Sequence, residues 1–95
     1  MDKLQRLVHL TIESLAKARE LNKYALDEPS RKRLAELMKK TSENRRKLQS
    51  LADVHQVNGS IDPETLDHSL DVMLKAANEI SRELDKLLTK AKRKN

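Results

Sequence analysis

The chain has 95 residues, of which 37% are charged and 1% aromatic, and it carries a formal net charge of +5. Its length suits one domain spanning residues 1–95, and its composition is typical of long helices and excludes an aromatic-rich, turn-rich β domain. The absence of cysteine excludes a disulfide framework, and no apolar run approaches the about 18 residues of a membrane span. We therefore expect a soluble protein with no membrane partner. If it is natural, the absence of cysteine fits the reducing cytoplasm.

A leucine pattern predicts a first helix from about residue 2 to residue 26. Asp2 is a suitable N-cap for it. The inward positions follow the alternating three- and four-residue spacing of helices that supercoil around one another. They are Leu4, Leu7, Thr11, Ser14, Ala18, Leu21 and Ala25. Leucine is therefore lost at the centre of this seam.

A second helix is predicted from about residue 29 to residue 56. Pro29 lacks an N–H and suits the first turn of a new helix. The short connection makes the first two helices antiparallel neighbours. The inward positions are Leu34, Leu37, Thr41, Asn44, Leu48, Leu51 and His55. This seam also turns polar at its centre.

A third helix is predicted from about residue 63 to residue 92, after a break at residues 57–61. Asp62 is the expected N-cap, Pro63 fits the first position and Glu64 faces the positive end of the helix dipole. Its inward seam keeps an unbroken apolar pattern, and its last turns are basic. The expected fold is all-α: an up-down-up antiparallel three-helix bundle with coiled-coil-like heptad packing.

The polar centres of the first two helices are expected to meet in one layer. Counting outward from the turns places them level with each other and with the third helix. The predicted layer is Thr11, Ser14, Thr41, Asn44, Met73 and Ala77. Because a buried polar group without a partner costs about 1–3 kcal/mol, three explanations compete. They are a hydrogen-bond network that sets helix pairing, a small-molecule pocket, and threonine hydroxyls bonded to their own helix.

Apolar residues also lie outside the seams of the first and third helices. These residues, at nearly one level, are Leu10, Ile12, Val72 and Leu74. Apolar residues outside the inward seams favour a protein interface on helices one and three, with a second copy or a helical partner. The alternative is that a three-helix core needs broad apolar stripes, because each helix touches two others.

Residues that carry chemistry do not converge in this pattern. His9 and His68 fall on solvent sides and His55 ends an inward seam, so we expect no metal site. No nucleophile has a base and an orienting partner, which favours a protein that is not an enzyme and has no cofactor. The second helix has a basic surface without interleaved aromatic residues, so nucleic acid is not the expected partner.

The whole chain resembles de novo designed helical bundles. The resemblance is carried by the scarcity of aromatic residues, the Asp62-Pro63-Glu64 cap, the short turns, the strict heptads and the grouped polar layer. It implies a programmed hydrogen-bond network at that layer. Tyr24 and residues 55–58 depart from this style, which leaves a natural helical protein open. The expected function is a non-enzymatic, designed interaction or scaffold protein, with a small-molecule-binding bundle as the alternative.

Overall fold

The computed structural model describes residues 2–58 and 62–94, apart from the side chains of residues 52, 54–58 and 94. The described residues form three helices: α1 (Lys3–Leu21), α2 (Glu28–Asn58) and α3 (Pro63–Lys94). They confirm the predicted all-α three-helix bundle. The remainder of the predicted second turn, residues 59–61, and the side chain of His55 lie outside the described residues.

Helix α1 begins where the sequence predicts and ends five residues early. The Asp2 carboxylate accepts a hydrogen bond from the Gln5 amide at 2.7 Å, and the Gln5 side chain bonds back to the Asp2 amide. This reciprocal cap satisfies two amides that the helix itself leaves free. At the end of α1 the chain tightens into two overlapping four-residue turns, in which the Lys23 amide donates to the Glu20 carbonyl and the Tyr24 amide donates to the Leu21 carbonyl. The expected end at residue 26 is therefore wrong.

Aspartates cap the two longer helices. Asp27 accepts from the Ser30 amide at 2.9 Å, so α2 begins one residue before Pro29. Asp62 accepts from the Thr65 amide at 3.2 Å, as its predicted N-cap role requires. Both carboxylates lie at the positive end of a helix dipole.

Helices α1 and α3 run parallel, in a register that recurs along their length. Lys3 forms ion pairs with Asp67 at 2.6 Å and with Asp71 at 2.9 Å. The two aspartates lie 64 and 68 positions further along the chain than Lys3. Lys17 bonds to Ser81 and Asp85 at 2.8 and 3.0 Å, at the same two separations. The two sets lie two heptads apart on both helices. Parallel heptad packing therefore holds from one end of α1 to the other.

Helix α2 runs antiparallel to α3. Arg33 Nε lies 3.6 Å from a Glu83 oxygen, and Lys90 Nζ lies 3.2 Å from an Asp27 oxygen at the start of α2. Contact between α1 and α2 is slight, because each packs chiefly against α3. The radius of gyration is 15.5 Å, larger than the about 12 Å of an average domain of this length. The bundle is elongated, with α3 as its common partner.

Two apolar clusters form the core. One cluster joins the end of α1 to the start of α2 and the end of α3, with Leu21 and Leu84 fully buried. The other joins the start of α1 to the start of α3 and the end of α2, and includes Leu7 and Leu70. On α1 and α2 the boundary between the clusters falls at the predicted polar positions.

Candidate functional site

The predicted polar layer lies between the two core clusters. Ser14 is 2% exposed, Thr41 5%, and Met73 and Ala77 4% each. Thr11 and Asn44 are half-buried. Asn44 Nδ2 donates to the Met73 carbonyl of α3 at 3.0 Å. Counting from the turns therefore placed α2 and α3 at the correct relative level.

The observed hydrogen bonds of this layer go to main-chain carbonyls. Thr11 donates to the Leu7 carbonyl at 2.8 Å, and Thr41 donates to the Leu37 carbonyl at 3.0 Å. Each threonine thus satisfies its hydroxyl within its own helix. Among the hydrogen bonds of this layer between described residues, the Asn44 bond is the one that crosses between helices. The threonine bonds match the explanation in which threonine hydroxyls bond to their own helix. The Asn44 bond is the one in this set that holds two helices together.

Two of the predicted interface residues lie inside the bundle. Leu74 is 9% exposed and Leu10 is half-buried against the cluster that contains Leu74. They are 64 positions apart, the separation that also joins Lys3 to Asp67. The expectation that Leu10 and Leu74 form an external surface is therefore wrong. The apolar stripes of α1 and α3 are broad because residues beside the predicted seams, Leu10 and Leu74, also pack in the α1–α3 contact.

The other two predicted interface residues are exposed on different sides of the molecule. Ile12 is 61% exposed and Val72 is 51% exposed. Val72 precedes the buried Met73 and Leu74, so helical periodicity turns it to the outer face of α3. Ile12 instead borders a cleft between α1 and α2. A single interface does not contain both residues.

An apolar stripe runs along the exposed side of α1, and three of its members, Val8, Ile12 and Leu15, line this cleft. Its first three members, Leu4, Val8 and Ile12, are 47%, 44% and 61% exposed, and Leu15 continues it. The predicted inward position of Leu4 is therefore wrong, because its side chain is exposed. Spacing by four residues identifies the α1 stripe, but only the weak α1–α2 contact explains why it is uncovered.

The α1–α2 groove consists of two clefts that share Leu15. The cleft near the start of α1 has a volume of about 280 Å³, and Leu48, Asn44 and Arg45 line its α2 side. The cleft near the end of α1 has a volume of about 760 Å³ and contains Met38. Together they follow α1 from Leu7 to its end at Leu21. The groove is thus a long furrow with apolar walls.

The charged residues that line the α1–α2 groove are arginines. Arg19 of α1 and Arg31 of α2 line one cleft, and Arg45 of α2 lines the other. By contrast, the cleft between α2 and α3 contains both signs, including Arg33 and Glu83, which form an ion pair. The two sides of α2 therefore differ in electrostatic character.

The basic end of the chain is partly neutralised within the bundle. Lys86 lies 3.6 Å from Glu83, Lys90 lies 3.2 Å from Asp27, and Lys92 lies 3.5 Å from Glu20. These pairs join α3 to the other elements or stabilise its own turns. Three of the cations near the end of the sequence thus contact carboxylates of the same chain.

Titratable groups are otherwise dispersed over the surface. His9 Nε2 lies 3.0 Å from Glu13 one turn along α1. Hydrogen bonds to Asp67 first and Asp71 second raise the pKa of Lys3 above its ordinary value of 10.5. Among the side chains that the structure describes, no three His, Asp or Glu residues are grouped as a metal site would require. Across residues 2–58 and 62–94, no helix has an apolar stretch long enough to cross a bilayer.

Comparison with protein-family models, with curated proteins and with solved structures finds no match to this chain. The geometry of the chain's own residues is therefore the basis for its proposed function.

Proposed function

We propose that this protein is a non-enzymatic interaction protein that binds an amphipathic helix of a partner in the α1–α2 groove. The observation that carries the proposal is the α1 stripe. Leu4, Val8 and Ile12 are exposed on one side of α1, and Val8 and Ile12 line the furrow between α1 and α2. An amphipathic helix recognises such a furrow by placing apolar residues at helical spacing into it.

The shape of the groove favours a helical occupant. Its two walls are the helices α1 and α2, and α1 is 19 residues long. A docked helix of about 18 residues would be about 27 Å long and would match that wall. Such a helix would cover the α1 stripe and contact the half-buried Leu48 and Met38 of α2. The groove would then become the core of a four-helix arrangement.

The proposed binding surface differs from the interface on helices one and three that was expected from the sequence. A face shared by helices one and three is replaced by the α1 stripe and the neighbouring wall of α2. Ile12 belongs to both descriptions, whereas Leu10 and Leu74 are already used inside the bundle. Val72 is an exposed apolar residue outside the groove. It therefore provides a matched control.

Binding of a fluorescent peptide tests the proposal. The probe is a helix-forming peptide of about 18 residues, with leucines along one face and glutamines elsewhere, titrated in fluorescence anisotropy. Ile12→Glu should weaken binding about tenfold or more, because the docked peptide would desolvate the new carboxylate. Val72→Glu introduces the same charge on another face and should leave the affinity unchanged.

Two results would contradict the proposal. One is the absence of measurable binding to the unmodified protein. The other is an equal loss of binding in both variants, since the effect would then come from charge or stability and not from the groove. Thermal melts of both variants establish that each remains folded.

A small-molecule site is the second candidate, because Thr11 and Asn44 line the cleft of about 280 Å³. That volume is close to the lower limit, about 300 Å³, of ligand pockets. An apolar dye that loses binding in Asn44→Leu, while the peptide still binds, would favour this candidate. Retained dye binding in Asn44→Leu would oppose it.

A further inference from the structure

We infer that the helix bound in the α1–α2 groove carries acidic residues along both edges and belongs to a different protein, not to a second copy of this chain. This inference rests on the proposed function, since it names the partner of the same groove. It follows from the sign, position and pairing of the charges along the two walls.

The arginines of the groove are available to a partner. Arg19, Arg31 and Arg45 are exposed. Among the described residues, the ion pairs involve other cations, such as Lys3, Lys17 and Arg33, and none reaches these three arginines. Among the residues that the structure describes, carboxylates line neither cleft of the groove. A partner that supplies carboxylates would therefore form ion pairs without displacing any within the chain.

The positions of the arginines fit the two edges of one helix. Arg19 and Arg31 lie on opposite walls of the same cleft. Arg45 lies on the α2 wall of the other cleft, 14 positions beyond Arg31. Fourteen residues of helix span about 21 Å, which is about four turns. A partner helix thus needs two carboxylates about four turns apart on one edge and a third on its other edge.

A second copy of the chain is a poor electrostatic match. In a two-fold symmetric dimer the same patch meets itself, so the groove arginines of both copies would be brought together. The formal net charge of +5 adds a general repulsion between copies. Several carboxylates that another face could offer are already paired, as Asp67 is with Lys3 and Asp85 with Lys17.

Three peptides with one leucine face test the inference. Their edges carry glutamate, glutamine or lysine, and each is titrated at low and at high ionic strength. The acidic peptide should bind about tenfold tighter than the neutral one at low ionic strength, and the basic peptide should bind weakest. The difference should shrink with added salt, because exposed charges are screened.

Charge reversal identifies the residues responsible. A variant with Arg19→Glu, Arg31→Glu and Arg45→Glu should invert the preference, so that the basic peptide binds tightest. The control carries Arg6→Glu, Lys75→Glu and Arg82→Glu, which changes net charge equally at exposed positions outside the groove. The control should keep the preference for the acidic peptide. If both variants invert it, net charge and not the groove sets the preference, and the inference fails.

The remaining outcomes separate this inference from the proposed function. Equal affinity for all three peptides, with binding still lost in Ile12→Glu, would leave the groove as a helix site and overturn the acidic partner. No binding of any peptide would overturn the proposed function itself. Light scattering that shows a dimer which Ile12→Glu converts to monomer would identify a second copy as the occupant and overturn the inference.

Discussion

Helix α1 has two neighbours and packs closely against only one of them. Against α3 it packs Leu7 and Leu10, and Lys3 and Lys17 bridge the edge of that contact. Against α2 it leaves a groove that is bordered by the α1 stripe. The same helix therefore has one closed interface and one open one, and the open one is where a partner has room.

The charged residues at the two interfaces differ in a way that fits one closed and one open interface. Across the α1–α3 interface each lysine meets an aspartate in a repeating register. At the α1–α2 interface Arg19 and Arg31 line the same cleft from opposite helices, and like charges disfavour close approach. An anionic partner between these walls would replace that repulsion with attraction. The open interface is thus suited to a third element in a way that the closed interface is not.

The largest expected contrast comes from truncating a leucine at each interface. Leu74→Ala removes buried contacts at the α1–α3 interface and should lower the free energy of unfolding by about 2–5 kcal/mol. Leu4→Ala makes the same chemical change on the α1 stripe, where the side chain is 47% exposed. It should change stability by about 0.5 kcal/mol or less. Urea denaturation followed by circular dichroism measures both.

Equal losses in the two leucine variants would show that the α1–α2 groove is closed in solution. That result would remove the distinction between the two interfaces. A large loss of unfolding free energy in Leu4→Ala, with little loss in Leu74→Ala, would show that the α1–α2 interface is the closed one.

The next contrast concerns the polar layer. Asn44→Ala removes the bond from Asn44 Nδ2 to the Met73 carbonyl and should cost about 0.5–1.5 kcal/mol. Asn78→Ala, at an exposed position of α3, is the control and should be nearly neutral. Thermal unfolding of the two variants distinguishes them. If Asn44→Ala is as stable as the control, the bond does not help to hold α2 against α3.

The smallest effect is the pH dependence of the Lys3 bridge. Because the folded protein raises the pKa of Lys3 above 10.5, the bridge contributes its full stabilisation below that value and loses it as pH rises through the folded pKa. The unmodified protein should therefore melt higher than Lys3→Met at neutral pH, and the gap should close above pH 10.5. Lys23→Met, at an exposed turn position, should show no such closing gap.

A gap between the unmodified protein and Lys3→Met that stays constant through the alkaline range would contradict the role of the charged amine. It would assign the effect to the alkyl chain of Lys3.

Helix starts could be predicted from the sequence because capping is local. Asp2 and Asp62 act within three residues of themselves, and both caps are observed. The end of α1 could not be predicted in this way. Tyr24 and Leu26 pack on the core from the connection, and their apolar character imitates a continuing helix. Periodicity alone cannot distinguish a packed turn from one more helical turn.

The candidate site was only partly predictable for a related reason. The level of Asn44 with Met73 follows from counting along two antiparallel helices. Which edge of α1 faces α3 depends on the long-range pairing of Lys3 and Lys17, so Leu10 and Leu74 were assigned to the wrong surface. Ile12 was correctly expected to be exposed. The groove beside it arises from the weak α1–α2 contact, which no local pattern reports.

Mapping by NMR tests the central claim most directly. The acidic peptide is titrated into isotope-labelled protein, and the amide shift changes are followed along the three helices. The account predicts that the largest changes fall on the α1 stripe and on the wall of α2 between Arg31 and Arg45, with Val72 and the outer face of α3 unaffected. Changes concentrated on the outer face of α3, or spread evenly over all three helices, would contradict it.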